Sequence, residues 1–270
     1  MKVAAAPAVQ ALELSFGYRA DGDVFRRFCW AVQGGEWWAV VGPSGCGKTT
    51  LLYLLAGLRQ PQGGQLLVDG LPVRKPRPSS GLILQDFGLL PWARAFDNVD
   101  LGLRIRGRPE RERRQIVNYW LHHLDIYALR HHYPSQLSGG QRQRVAIART
   151  LALDPDLLLM DEPFGSLDAF TREGLQNLVA RLGEERERTC VLVTHDIEEA
   201  VFLGTRILIL GNPPIGRGVV VDNPLARQPG YREDPEFFRQ CSQVRALALG
   251  VQRQGRTEVS VGSIGQGVGR

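Results

Sequence analysis

Lysine, cysteine and long apolar runs are scarce in this 270-residue chain. No stretch of 18 apolar residues occurs, so no segment is expected to span a bilayer as a helix. The first residues, MKVAAAPAVQALEL, lack the apolar centre of a secretory signal, and none is expected. The four cysteines, Cys29, Cys46, Cys190 and Cys241, lie far apart and form no C-x-x-C pair. That spacing argues against a zinc site or a disulfide scaffold and makes a reducing compartment the default. Lysine appears only as Lys2, Lys48 and Lys75 among 33 basic residues, and the formal net charge is +5. A positive balance of this size suits nucleotides, nucleic acid or an anionic membrane surface, and equally a solvated basic face. No internal repeat is visible. With 43% hydrophobic and 23% charged residues, the composition excludes collagen, a coiled-coil rod and wholesale disorder, and the length suffices for one substantial core.

What is present alternates between strand and helix patterns. Residues 10–41 read as strands and turns, with a hairpin break at Asp21–Asp23. Glu36–Val41, EWWAVV, is a continuous apolar run ending in glycine, as a strand buried on both faces would be. Lys48–Leu58 has helical spacing. Further strands are expected at Gln65–Asp69, Ser80–Leu84, Leu157–Asp161, Thr189–Thr194 and Arg206–Leu210. Helices are expected over much of Ala93–Tyr133 and at Arg142–Leu153, Ala169–Gly183 and Ile197–Leu203. Pro72–Ser80 reads as a loop, and the charged run Arg104–Arg114 as a loop entering an exposed helix. After Gly211 the pattern weakens; Pro235–Leu249 has room for a helix, and the glycine-rich end reads as mobile. The alternation implies an α/β domain around a mostly parallel sheet.

Gly42-Pro43-Ser44-Gly45-Cys46-Gly47-Lys48-Thr49 satisfies G-x-x-x-x-G-K-[ST] between a buried strand and a helix. Glycines let successive N–H groups converge on phosphates, and the helix adds its positive N-terminal end. Lys48 can reach the β and γ phosphates, and Thr49 offers a hydroxyl to Mg2+. A structural glycine loop with an accidental lysine is the bland alternative, and the context counts against it. Cys46 has two readings: a thiol acidified near a helix start, or a small side chain turned away. Leu157–Asp161 followed by Glu162 is an apolar strand ending in two carboxylates. Alone, these would be a helix cap and a surface partner. Beside a phosphate loop, Asp161 suits Mg2+ held through water, and Glu162 suits a general base or orienter of the attacking water. His195 follows a strand at the edge where parallel sheets bind ligands. It is either a hydrogen-bonding partner of the γ-phosphate and the attacking water or a satisfied structural histidine. His122, His123, His131 and His132 show no metal spacing.

Leu137-Ser138-Gly139-Gly140-Gln141, followed by RQRVAIAR, completes a pattern that resembles the ATP-binding subunits of ABC (ATP-binding cassette) transporters. The resemblance runs from about Ala11 to Leu210, and more weakly to about Leu249. Gln85 matches the family's glutamine loop, Ser166-Leu167-Asp168 its D-loop, His195 its switch histidine and Tyr18 the aromatic that stacks on adenine. The resemblance implies an α/β P-loop NTPase: an ABC-type ATPase core with an antiparallel β subdomain and a helical signature subdomain at about 87–137. One domain would cover 1–249, with a short C-terminal extension at about 211–249 and a mobile tail at 250–270. ATP and Mg2+ are the implied cofactors. Lys48, Gln85, Glu162 and His195 would be catalytic, and Thr49, Gln85 and Asp161 would serve the metal. Tyr18, Gly42, Pro43, Ser44, Gly45, Cys46, Gly47, Lys48, Thr49, Thr50 and Asp168 would contact nucleotide. Ser138, Gly139, Gly140 and Gln141 would do so across a homodimer, each ATP lying between one phosphate loop and the partner's signature. The signature glycines are expected just before a helix starting near Gln141, as a second anion-binding helix end.

Within the family, the likeness is to the nitrate, sulfonate and taurine importers. It rests on Gly88-Leu89-Leu90-Pro91-Trp92 with Phe96-Asp97-Asn98-Val99, on Met160–Asp168 and on Thr194–Ala200. Gln141, often Met in this group, and Ser166, commonly Ala, depart from it without removing a catalytic group. Such a subunit implies a transmembrane permease dimer, whose cytoplasmic helix would dock beside Phe87, Leu89, Leu90 and Trp92. It also implies a periplasmic or lipoprotein solute-binding protein that does not touch this chain, and a peripheral place on the cytoplasmic face of the inner membrane. The expected activity is ATP hydrolysis that energises import of nitrate, sulfonate, taurine or a similar small solute. The alternatives are a soluble cassette acting on nucleic acid or ribosomes, a non-hydrolysing regulator, and a cassette of another transporter class. A single phosphate loop, no coiled-coil insertion, and a basic stretch broken by Glu110 and Glu112 without stacking aromatics count against nucleic acid. Intact Lys48, Asp161, Glu162 and His195 count against the regulator.

Overall fold

Strands with apolar side chains on both faces need a layer on each side, and the sequence supplies two such layers. The computed structural model describes residues 8–18, 22–184 and 188–261. β1 (Val9–Tyr18) and β2 (Gly22–Val32) pair antiparallel, with Tyr18 opposite Gly22. Of the break expected at Asp21–Asp23, Gly22 and Asp23 already belong to β2, and residues 19–21 lie outside the described residues. β3 (Trp37–Val41) is buried at every position, and a glycine loop joins it to α1 (Lys48–Leu55). β4 (Gly63–Val68) and β5 (Leu71–Pro72) complete an antiparallel sheet of order β2-β1-β4-β5. β6 (Ser80–Ile83) leads into α2 (Ala95–Ile105) and α3 (Glu110–His123). Then α4 (Gly139–Leu151), β7 (Leu157–Asp161), α5 (Ala169–Glu184), β8 (Thr189–Val193), α6 (Ile197–Leu203) and β9 (Arg206–Ile209) alternate. β10 (Val219–Asp222) and α7 (Pro235–Val261) follow. The second sheet has the order β10-β9-β3-β8-β7-β6, parallel except where β10 runs antiparallel to β9.

Alternation along the parallel strands sorts their residues between two cores. Trp37, Ala39, Val41, Leu158, Met160 and Leu192 pack with the apolar stripes of α2 to α7. Trp38, Val40, Leu157, Leu159, Val191 and Val193 pack with α1 and the antiparallel sheet. The register then decides where the chemistry goes. Val40 and Asp161 both stand level with Val193, so β3, β7 and β8 end along one line and their following loops meet at one edge.

Most sequence-derived elements are present within a few residues, and the differences have physical causes. α1 stops at Leu55, three residues short of the expected Leu58. Gly57 adopts φ +72°, and a Cβ there would come within 2.5 Å of the Lys75 carbonyl, so the chain must turn away. α4 starts at Gly139 rather than beyond the signature glycines, because Ser138 caps it. β10 was not expected: its alternation is weak, with only Val221 of its four residues buried. α7 continues past Leu249 to Val261, so the boundary drawn at 249 falls inside a helix, and 262–270 lie outside the described residues.

One buried amide ties this C-terminal segment to the end of α6. Asn223, 1% exposed, donates through Nδ2 to the carbonyls of Val201 (2.6 Å) and Gly204 (2.8 Å) and accepts from the Tyr231 hydroxyl (2.6 Å). Asn223→Ala strands three buried polar groups and should cost about 2–5 kcal/mol, against about 1–3 kcal/mol for Tyr231→Phe, which strands one. Urea denaturation of the two variants checks this; a smaller loss for Asn223→Ala than for Tyr231→Phe contradicts it.

Candidate active site

The loop between β3 and α1 turns because two of its glycines take left-handed backbone angles, Gly45 at φ +76° and Gly47 at φ +106°. Side chains are excluded sterically as well. A Cβ on Gly47 would sit 2.4 Å from Val24 Cγ1, and one on Gly42 would sit 2.7 Å from the Leu210 carbonyl. Lys48, 7% exposed, folds back over the loop and donates to the carbonyls of Gly42 (2.9 Å) and Pro43 (3.0 Å). Cys46 is turned inward at 1% exposure, and burial pushes its thiol up despite the nearby Lys48 charge. Of its two sequence readings, the small inward-facing side chain is the one realised. Tyr18 shares a hydrogen bond with the Thr50 hydroxyl at 3.3 Å, and its ring stands 6.0 Å from the Arg59 guanidinium. Tyr18, Ser44, Gly45, Lys48, Thr49 and Glu162 are among the residues lining one 580 Å³ cavity, within the ~300–1,000 Å³ of small-molecule sites. Sequence reasoning did not name Asp23, Val24 and Pro213, which line the same cavity from distant segments and carry no motif.

The carboxylates separate at the end of β7. Asp161 is 4% exposed and accepts from the Thr49 hydroxyl at 3.1 Å; burial raises its pKa, which that hydrogen bond opposes. Glu162 takes φ +44°, a left-handed angle that is strained for a non-glycine residue, while its N–H still bonds the Val193 carbonyl at 2.9 Å. The turned backbone brings its Oε2 to His195 Nδ1 at 3.1 Å and to Gln85 Nε2 at 3.4 Å. Three loops after three parallel strands thus converge on one carboxylate.

The signature lies apart from this cluster. Ser138 Oγ accepts from the Gln141 N–H at 3.3 Å, and Gln141 Oε1 accepts from the Ser138 N–H at 2.9 Å, a reciprocal capping box. Gly139 and Gly140 are the first residues of α4, and a Cβ on Gly140 would meet Thr171 Cγ2 at 2.4 Å. Asp168 accepts from the Thr171 N–H at 3.0 Å, and that bond lowers its pKa. None of Ser138, Gly139, Gly140, Gln141 and Asp168 lines the 580 Å³ cavity.

The profile of the family described as "ABC transporter" matches residues 25–165. The taurine import ATP-binding protein TauB of Yersinia pestis bv. Antiqua is 47% identical over 218 residues, 77% of this chain and 84% of that relative. The chain belongs to the ABC transporter family. The nitrate import ATP-binding protein NrtD of Synechococcus elongatus is 42% identical over 229 residues, 81% of each chain. Among solved structures, the dimeric post-hydrolysis ATP-binding cassette MJ0796 with ADP and Pi matches at TM-score 0.71 and 32% identity, covering 79% of this chain and 98% of that one. The cassette cbiO1 of Clostridium perfringens matches at TM-score 0.74 and 27% identity, covering 94% and 99%. This chain is therefore a nucleotide-binding ABC subunit that hydrolyses ATP. Among its described residues no helix is long and apolar enough to cross a membrane.

Around the ABC site, several supporting contacts escaped the sequence because they join distant segments. Arg149 of α4 donates to the carbonyls of Phe87 (2.8 Å) and Gly88 (2.6 Å), holding the left-handed turn that follows Gln85. Asn98 is fully buried, bonding the N–H and C=O of Leu90 and the carbonyls of Ala93 and Arg94. Leu89 packs against the core while Trp92 stays 74% exposed, so the apolar cluster read from sequence divides into packing and surface members. Behind His195, Glu199 is 3% exposed, accepts from the Thr194 hydroxyl at 3.2 Å, and has its Oε1 buried without a hydrogen bond.

Burial, reinforced by the Asp196 charge, pushes the Glu199 carboxyl up to about 8. A raised folded-state value means its stabilising contribution is complete below the unfolded value, near 4.5, and is lost as pH rises to about 8. Glu199→Gln keeps the acceptor for Thr194 without the charge. It should match wild type near pH 4 and exceed it by on the order of 5 kcal/mol at pH 9. Thermal unfolding across this range checks it; parallel pH profiles of the two proteins would contradict it.

Proposed function

We propose that this subunit hydrolyses ATP to drive import of a small solute of the sulfonate or nitrate kind through a separate permease. The catalytic part rests on one observation above the others: Lys48, Thr49, Glu162 and Tyr18 share a cavity whose lining omits the capped start of α4. Such a division supports a site finished by a second copy. In this reading adenine stacks on Tyr18, and the phosphates take the loop N–H groups and draw Lys48 from its two carbonyls. The oxygens of Thr49 and Asp161, joined at 3.1 Å, suit a hard cation that keeps its waters, and Gln85 reaches the same edge. Mg2+ held by Thr49 and Asp161 would supply positive charge against the phosphates. Glu162 orients the attacking water and takes its proton, with His195 and Gln85 fixing the carboxylate. The partner's Ser138, Gly139 and Gly140 close the site from the opposite side. This closed two-fold pair completes both sites at once.

The solute class rests on the relatives named for taurine and nitrate import and on the motifs shared with that group. The permease would hold the subunit at the cytoplasmic face of the inner membrane, gripping the exposed Trp92 beside the Gln85 loop. A separate binding protein would select the solute without touching this chain, and nucleic acid has no part. The taurine-loaded or nitrate-loaded binding protein should stimulate hydrolysis by the reconstituted complex; stimulation by neither removes the solute assignment.

Glu162→Gln should slow hydrolysis by about 10²–10⁴-fold and leave ATP bound, trapping the pair. Light scattering with Mg2+ and ATP should then report twice the 30.0 kDa chain mass, and ADP should not substitute. Adding Ser138→Arg should restore the monomer. A single-chain mass for Glu162→Gln with ATP demonstrably bound would refute the sandwich. Lys48→Ala should retain less than about a tenth of the wild-type rate, a loss of at least ~1.4 kcal/mol in transition-state binding.

A further inference from the structure

Two loops flank the catalytic carboxylate: Phe164–Asp168 after β7, and Thr194–Asp196 after β8. One side chain on α5 touches both. Arg172 Nη2 donates to the Leu167 carbonyl at 2.9 Å, and its Nη1 reaches Asp196 Oδ2 at 3.4 Å. Its Nε is buried without a hydrogen bond, so two of the fork's three nitrogens do the bridging. The base of the arginine is fixed by the first loop as well, because its N–H bonds the Asp168 carbonyl at 2.9 Å. At the far end, Asp196 Oδ1 caps α6 by accepting from the N–H groups of Glu198 (2.9 Å) and Glu199 (3.2 Å). The Asp196 N–H bonds the Thr194 hydroxyl at 3.0 Å, and that hydroxyl donates to Glu199. His195 therefore sits between two anchored residues, Thr194 and Asp196, with its own ring nitrogen 3.1 Å from Glu162.

We infer that Arg172 is a positioning residue that couples the Leu167–Asp168 segment to His195, so that displacement of that segment by a second copy is carried to the catalytic carboxylate. The inference rests on the proposed roles of His195 and of the dimer. Its geometry is specific to arginine. A guanidinium spans a carbonyl and a carboxylate at once, whereas a lysine ammonium is a point charge that satisfies one of them. The path is short: hydrogen bonds join the Leu167 carbonyl, Arg172 and Asp196, the backbone joins Asp196 to His195, and His195 meets Glu162. The fork spans from the Leu167 carbonyl to the His195 turn, and without it packing and the strand ladder still hold the two loops.

The test uses the full chain. Arg172→Ala and Asp196→Asn should each lower kcat about tenfold with KM for ATP changed less than threefold, and the double variant should be no worse than the poorer single one. Arg172→Lys should not restore the rate. In ¹³C-histidine spectra, the His195 ring signal, assigned by its loss in His195→Ala, should move in Arg172→Ala while those of His122, His123, His131 and His132 stay. Multiplying losses in the double variant, rescue by lysine, or an unmoved His195 signal would each overturn the coupling. If Arg172→Ala unfolds, all five histidine signals collapse, and Asp196→Asn, which keeps a helix-capping oxygen, carries the same spectral test. Wild-type hydrolysis by His195→Ala would remove the catalytic role of His195 itself, an outcome separate from whether its ring responds to Arg172.

Discussion

The level ending of three neighbouring parallel strands is the constraint on which the rest of the site depends. Val40, Val193 and Asp161 stand side by side in the ladder, so the glycine loop, the His195 turn and the Glu162 turn all leave the sheet at one height. A slip of one residue in any strand would exchange its two faces, driving Trp37 or Met160 into the wrong core. The two cores thus hold the register, and the register holds the chemistry. Loops on such a scaffold can be strained without wandering. Glu162 keeps a left-handed angle because its N–H is still locked to the Val193 carbonyl.

Arginine, which takes nearly all of the chain's positive charge, acts inside the protein mainly as a clamp on backbone carbonyls. On α4 alone, Arg142 holds the Leu137 carbonyl, Arg144 that of Leu124, and Arg149 those of Phe87 and Gly88. The helix that begins with the signature is in this way fastened to the segment before it, to the end of α3 and to the turn after Gln85. Each clamp supplies a charge-assisted bond to a carbonyl in a turn or at a helix end, outside the regular ladders. Lysine would offer the charge without the planar fork.

What the sequence made legible was local: the phosphate loop, the apolar strands, the paired carboxylates and the histidine that follows a strand. Each is written in consecutive residues, and each is found where expected. The start of α4 was legible in part. Ser138 and Gln141 spell a capping box, but two glycines between them argue against helix by propensity, and the cap prevails. β10 escaped because a half-exposed edge strand carries almost no alternation and is defined by its partner β9. The inward turn of Cys46, the grip of Arg149 and the bridge through Arg172 are set by residues tens of positions away, and no window of sequence contains both ends of these contacts.

The capping box at Ser138 has a consequence for which residue that position can tolerate. The hydroxyl enters the cap only as an acceptor, from the Gln141 N–H, so its proton remains available for donation elsewhere. Aspartate would cap the helix equally well. It would have no proton to offer, however, and would set a negative charge at the one place where, in the proposed dimer, a partner's triphosphate must approach. Helix stability alone is indifferent between the two residues. Serine leaves the helix start both closed on itself and open to an anion.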